Sequence, residues 1–268
     1  MSPLQKALIP CGGRGTRMAM LTRGAAKELL PIGGVPQVLR VMQECAASGV
    51  QDVLIVSAPG KEDLDAVVRA AAGTRGMPAT AQVLIQRDAR GLADAIRIGR
   101  QFAGNDVFGV ALPDNLFLGE TPALAQLYQV HQKTAKNVVA IVELNAANKD
   151  RYGPTAIYPG VLDGDEFLIE RIPDKGPREK TFDLEGAQTA FTGVGRYIFL
   201  PEVFAAIDAV ESQLSSGKEL DDIPVMQRLL KGGKLTGCRI RGDFLDIGLP
   251  SGYQEADERF RSGVAMTR

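Results

Sequence analysis

The chain has 268 residues, 45% of them hydrophobic, with 31 basic against 32 acidic residues and a formal net charge of −1. That length suits one large α/β domain, and the balanced charge excludes the broad basic field of a nucleic-acid or anionic-membrane binder. No apolar run approaches the roughly 20 residues that span a bilayer, and the start MSPLQKALIP lacks a signal-peptide layout. Three scattered cysteines, Cys11, Cys45 and Cys238, fit reduced thiols and a cytoplasmic protein. The single histidine, His131, leaves little for a zinc site or a Ser-His-Asp relay.

In chain order, Lys6 to Pro10 reads as a first strand, followed at once by the Gly-rich stretch PCGGRGTRM. Pro36 to Ser48 places Val38, Leu39, Val41, Met42, Cys45 and Ala46 on a helical stripe that Gly49 stops. Asp52 to Ser57 is a buried strand, Lys61 to Ala72 a helix, Ala81 to Gln86 a strand, Leu92 to Phe102 a helix and Val107 to Leu112 a strand. Leu124, Leu127, Tyr128 and His131 share a helical face, which gives the histidine a structural or surface place.

This β-α alternation predicts a three-layer, Rossmann-like α/β fold with a mostly parallel central sheet. Ligands in such sheets gather at the carboxyl ends of strands, where the Gly loop, Gln86 and Pro113-Asp114-Asn115 all fall. The later part is less regular. Asn137 to Leu144 and Ala190 to Leu200 read as strands, and Pro201 opens a short helix. Ile172 to Gly186 reads as a surface loop or flap, and Lys218 to Leu230 as a helix. Phe244 to Gly248 is a short strand or turn before a last helix from Pro250. With no internal repeat or low-complexity linker, one domain over 1–268 is expected.

The Gly loop fits neither common nucleotide fingerprint. In GxGxxG the sixth position is Met18, no acidic residue ends the second strand, and GxxxxGK[ST] is absent. Glycine amides can still form an anion nest, and two arginines beside them suit a polyphosphate. A plain tight turn with solvated arginines is the other reading.

Thr16-Arg17 follows Gly15, and Ala26-Lys27-Glu28-Leu29-Leu30-Pro31 comes soon after. With GGRGTR and KELLP both present, the chain resembles the sugar-1-phosphate nucleotidyltransferases. The resemblance continues through Gln86, Arg90-Gly91-Leu92-Ala93, Leu112-Pro113-Asp114-Asn115, Arg151-Tyr152-Gly153, Gly193-Val194-Gly195-Arg196-Tyr197 and Leu245-Asp246-Ile247-Gly248. It implies a nucleotide-binding half over 1–135 and a sugar-binding C-terminal half over 136–268.

The implied reaction joins a nucleoside triphosphate and a sugar-1-phosphate into a nucleotide sugar and pyrophosphate. The features are most similar to bacterial UTP–glucose-1-phosphate uridylyltransferases, with dTTP use as in thymidylyltransferases the alternative. A non-catalytic nucleotide-sugar sensor is the alternative from another class. The resemblance gives Arg17 and Lys27 catalytic roles, and Pro10, Gly12, Gly13, Gly15, Thr16, Gln86 and Gly91 contacts to the nucleotide. It gives Tyr152, Gly153, Glu170, Arg171, Gly193 and Val194 to the sugar phosphate, and Asp114 and Asp246 to Mg²⁺. One departure stands out: the family's E-K-P reads Glu170-Arg171-Ile172-Pro173 here, so either Arg171 or Lys175 takes the phosphate-binding place. By analogy with relatives, a homodimer or homotetramer is implied. Arg14 and Cys11 receive no role.

Overall fold

The computed structural model describes residues 3–13, 15, 18–22, 24–146, 148, 156–174, 189–215 and 217–263. The first part runs β1 (Lys6–Pro10), α1 (Ala19–Thr22), a 3₁₀ turn (Lys27–Leu29), β2 (Pro31–Ile32), β3 (Val35–Pro36), α2 (Gln37–Ala47), β4 (Asp52–Ser57) and α3 (Glu62–Ala71). It continues with β5 (Thr80–Ile85), α4 (Leu92–Ile98), α5 (Arg100–Ala103), β6 (Phe108–Ala111), β7 (Asn115–Leu118) and α6 (Ala123–Thr134). The second part adds β8 (Asn137–Asn145), β9 (Gly160–Asp163), β10 (Glu166–Ile169), β11 (Thr189–Phe199), α7 (Val203–Glu211), α8 (Asp222–Lys231), β12 (Leu235–Arg239), β13 (Asp243–Asp246) and α9 (Pro250–Arg261).

Nine strands form one sheet in the order β5-β4-β1-β6-β11-β8-β12-β10-β9. Their pairings make seven of the nine run in one direction, with β11 and β10 reversed. Successive strand residues point to opposite faces, and each face carries its own core. On β1, Ala7 and Ile9 enter one core and Leu8 the other; on β4, Val53 and Ile55 oppose Leu54 and Val56. Helices α2, α3, α6 and α9 cover the first face, and α4, α5, α7 and α8 the second. Val38, Val41, Met42 and Cys45 are all fully buried, the i, i+3, i+4, i+7 stripe by which α2 docks.

Two helices differ from the sequence reading. The helix expected from Leu92 to Phe102 breaks at Gly99 into α4 and α5. There the backbone lies so close to the sheet that a Cβ would meet Leu8 and Leu54. The helix expected from Lys218 begins only at Asp222, capped by the Asp221 carboxylate. The residue before that cap is spent elsewhere: Leu220 N donates to Arg90 O, and Leu220 O accepts from Ala93 N at 3.0 Å. Residues 175–186 of the expected flap lie outside the described residues, while Ile172 and Asp174 are tied to Gln227 of α8. Among the described residues no helix is long and apolar enough to cross a membrane.

All three cysteines are free and buried. Burial pushes each thiol up, that of Cys238 to about 12, so at pH 8 all stay protonated. A thiol reagent at pH 8 is therefore expected to label fewer than about one cysteine in the native protein within minutes, and all three once it is denatured. Rapid native labelling would contradict this packing.

Candidate active site

β1 ends at Pro10, and Cys11 N continues its ladder by donating to Val56 O at 2.7 Å. The Gly loop thus leaves the sheet from a fixed point. Lys61, just ahead of α3, holds the loop from behind: its Nζ donates to Cys11 O, to Gly13 O at 3.1 Å, and to both Glu28 carboxylate oxygens at 3.0 and 3.1 Å. Glu28 is fully buried, so this ammonium is the compensation its charge needs.

Lys27 projects the other way. Its Nζ lies 3.0 Å from Asp114 Oδ2, and a Cβ on Gly15 would sit 3.2 Å from its Cδ. Burial lowers the Lys27 pKa, but the Asp114 and Glu28 carboxylates outweigh it and hold the group above its ordinary value. A fixed positive charge therefore stands at the loop mouth. Arg14, Thr16 and Arg17 lie outside the described residues, as do Tyr152, Gly153 and Lys175.

The turn that carries Asp114 has every carbonyl held. Arg196 donates to Leu112 O and Asn115 O, each at 2.9 Å, and Gln37 to Pro113 O at 2.5 Å. Asp114 O accepts from Ile247 N at 2.9 Å and Gly248 N at 3.2 Å. Arg196 is itself fully buried and forks onto Glu44, with Nη2 2.7 Å from Oε2. Burial lowers its pKa, yet Glu44 more than restores it.

β7 and β13 pair antiparallel as a separate two-stranded ribbon, with Asp246 opposite Asn115. That pairing sets Asp246 beside Asp114, although 132 positions separate them (246 minus 114). Asp246 is half-buried, and its Oδ1 accepts from Gly248 N at 3.0 Å. The Asp114 carboxylate thus meets Lys27, and the ribbon brings the Asp246 backbone alongside the Asp114 turn.

Gln86 follows β5, its amide N donating to Ser57 O at 2.8 Å. Its side-chain Oε1 lies against Gly12, where any Cβ would collide with it. Its Nε2 donates to Asp94 Oδ2 at 2.8 Å and to Gly91 O at 3.2 Å. Gly91 has φ +108°, open to glycine, and a Cβ there would run into Leu220 backbone.

The sugar-side residues divide. Gly193 packs under the Tyr158 hydroxyl, which lies 2.9 Å from the place of a Cβ. Tyr158 N donates to Phe191 O at 2.7 Å and Glu170 N to Pro159 O at 2.9 Å, so segment 156–159 links exposed Glu170 to the Gly193 strand. Arg171 is exposed. Val194 is directed into the core, which leaves its backbone for any ligand contact. His131 stacks on Tyr128, and its Nδ1 meets Lys136 O at 2.8 Å, a structural post at the end of α6.

Residues 6–263 match the Nucleotidyl transferase family. This chain belongs to that family. Among relatives of this nucleotidyl transferase, a Bacillus subtilis protein provisionally named UTP–glucose-1-phosphate uridylyltransferase is 30% identical over 93% of this chain and 94% of that protein. A UTP–glucose-1-phosphate uridylyltransferase of Staphylococcus haemolyticus is 29% identical over 94% of this chain and 91% of that one. A solved UDP-glucose pyrophosphorylase complexed with UDP-glucose shares the fold, with a TM-score of 0.80 at 24% identity, covering 97% of this chain and 99% of that one.

The donor set of this nucleotidyl transferase suits a hard cation. Mg²⁺ takes oxygen ligands, keeps water, and is usually held by one or two carboxylates with substrate phosphates completing the shell. Asp114 and Asp246 supply two carboxylates, and among the described residues no three His, Cys, Asp or Glu side chains converge as a closed cage. Sequence reading gave no role to Lys61, Glu28, Gln37, Glu44, Asp94 or Arg196. The one signal available was Arg196 inside an apolar strand, since a charge there demands a partner.

Proposed function

We propose that this nucleotidyl transferase moves a uridylyl group from UTP to glucose-1-phosphate and releases pyrophosphate. The observation that carries the reading is Lys27 Nζ at 3.0 Å from Asp114, with Asp246 across the ribbon. The names of the relatives favour UTP and glucose-1-phosphate.

An oxygen of the sugar phosphate attacks the α-phosphorus in line. The new P–O bond forms as the bond to the bridging oxygen of pyrophosphate breaks. The nucleophile is already an anion, so no general base is needed, and the difficulty is repulsion between anions. Lys27 offers a point charge at the reacting phosphates, and Gly12, Gly13 and Gly15 open the loop backbone to the nucleotide. Arg17 joins this proposal from the sequence motif, to face the departing pyrophosphate, and Thr16 to contact the nucleotide. Asp114 and Asp246 would hold Mg²⁺, which when bound neutralises charge on the phosphates.

Gln86 and the Gly91 backbone would read the base. Tyr152, Gly153, Glu170, Gly193 and the backbone of Val194 would line the sugar, with Arg171 or Lys175 at its phosphate. The halves 1–135 and 136–268 then act as one domain whose ligands meet between Asp114 and Gly193. Buried thiols agree with a cytoplasmic setting. Val161 and Leu168, cross-strand partners on β9 and β10 that are 58% and 44% exposed, agree with a homodimer or homotetramer.

A panel of UTP, dTTP, CTP, ATP and GTP with glucose-1-phosphate and Mg²⁺, read as pyrophosphate release, tests the reading. UTP is expected to turn over best, with dTTP within about 10–200-fold because one methyl is worth about 1–3 kcal/mol. A preference for ATP or GTP would overturn the pyrimidine assignment, and binding without turnover would mark a sensor.

A further inference from the structure

We propose that Asp94 fixes which end of the Gln86 amide meets the base, and so selects bases whose ring nitrogen carries a hydrogen. The inference rests on Gln86 as the base-reading residue, and names the group that gives that residue its polarity.

A glutamine amide offers two N–H donors and one carbonyl acceptor, and either end can face a ligand. Here both donors are taken by the protein: Nε2 bonds Asp94 Oδ2 at 2.8 Å and Gly91 O at 3.2 Å. A flipped amide would set Oε1 against a carboxylate oxygen and a carbonyl oxygen, three acceptors with no hydrogen between them. Only Oε1 remains to face Gly12 and the loop mouth. An acceptor there accepts from N3–H of uracil or thymine. The corresponding ring nitrogens of cytosine and adenine are acceptors themselves, and meet it with repulsion.

Asp94 can do this because it is nearly buried, 3% exposed, with each carboxylate oxygen held by a partner. Its Oδ1 takes Arg97 Nη2 at 2.6 Å, with Arg90 Nη1 3.9 Å away. Glu211 of α7 draws both arginines in, at 2.9 and 2.8 Å. One carboxylate oxygen is thereby committed to the guanidinium side and the other to Gln86. Asp94 is a positioning residue: it acts on the base through Gln86.

The test compares kcat and KM for UTP and CTP in wild type, Asp94→Ala, Asp94→Asn and Gln86→Leu, with thermal melts as a folding control. Asp94→Ala is expected to cut the UTP:CTP preference in kcat/KM at least about 10-fold, mostly through KM, because a free amide can turn its donors to cytosine. Asp94→Asn, with one acceptor where two are committed, should keep its oxygen on Arg97 and turn its NH₂ to Gln86, and so lose the preference as Asp94→Ala does. If Asp94→Ala does not fold, Asp94→Leu keeps the volume and makes the same comparison. Should Gln86→Leu collapse the preference while the Asp94 variants leave it intact, the Asp94 inference falls alone. Should Gln86→Leu also leave it intact, Gln86 is not the base reader and both fall.

Discussion

Replacing Lys27 with methionine is expected to lower turnover about 10³-fold while moving Tm by no more than about 3 °C. The two effects separate because of where the ammonium sits. Its partner Asp114 is 22% exposed on its side chain, so water can solvate the carboxylate once the cation is gone. Solvation of the stranded carboxylate keeps the expected loss to about 1 kcal/mol, below the roughly 3–5 kcal/mol of a fully buried pair. The methylenes that lie against Gly15 survive in methionine, so packing is kept. During transfer, though, charge gathers on phosphates at the place Lys27 faces, and losing one fixed donor in such a site costs about 10²–10³-fold or more. Pyrophosphate release and a thermal melt on the same preparation check both halves. Residual turnover within about tenfold of wild type would place Lys27 outside the reaction centre.

Arg196→Met should behave in the opposite way, with a loss of about 3–5 kcal/mol of stability and roughly 10 °C of Tm. The guanidinium is fully buried, and Glu44, 9% exposed on its side chain, has no water to turn to. Leu112 O and Asn115 O lose their donor in the same step. The double variant Glu44→Leu with Arg196→Met removes the stranded carboxylate and is expected to recover a substantial part of that loss. Urea unfolding of the two variants measures the difference. A single variant within about 1 kcal/mol of wild type would show that the buried pair is not what holds the Asp114 turn.

The parallel part of the sheet was legible because its strands carry continuous apolar runs that two cores demand: β1 and β4 fall on Lys6–Pro10 and Asp52–Ser57, as the sequence predicts. The breaks were not. Gly99 breaks a good helical pattern where Leu8 and Leu54 crowd its backbone, and 218–221 stays outside the helix where Leu220 bonds Arg90 and Ala93. Both causes lie far along the chain from their effect. The candidate site divides likewise. Asp114 and Gln86 stand at strand ends and Lys27 opens a 3₁₀ turn, all within recognisable runs, whereas Lys61 and Asp94 show their use only through the partners they reach. A lone lysine before a helix or an aspartate in its first turn reads as an ordinary solvated charge.

The β7–β13 ribbon also bears on the order in which the protein becomes competent. Asp114 and Asp246 come together only when a loop of more than a hundred residues has closed, and the entropy of that closure must be met before the contact returns anything. Strands β1, β4, β5 and β6 can register with one another from the first 111 residues alone. A chain emerging from the ribosome would thus have the strand that leads into the Gly loop well before its two acidic groups met. On the proposed function, chemistry would wait until β13 brings Asp246 to the Asp114 turn.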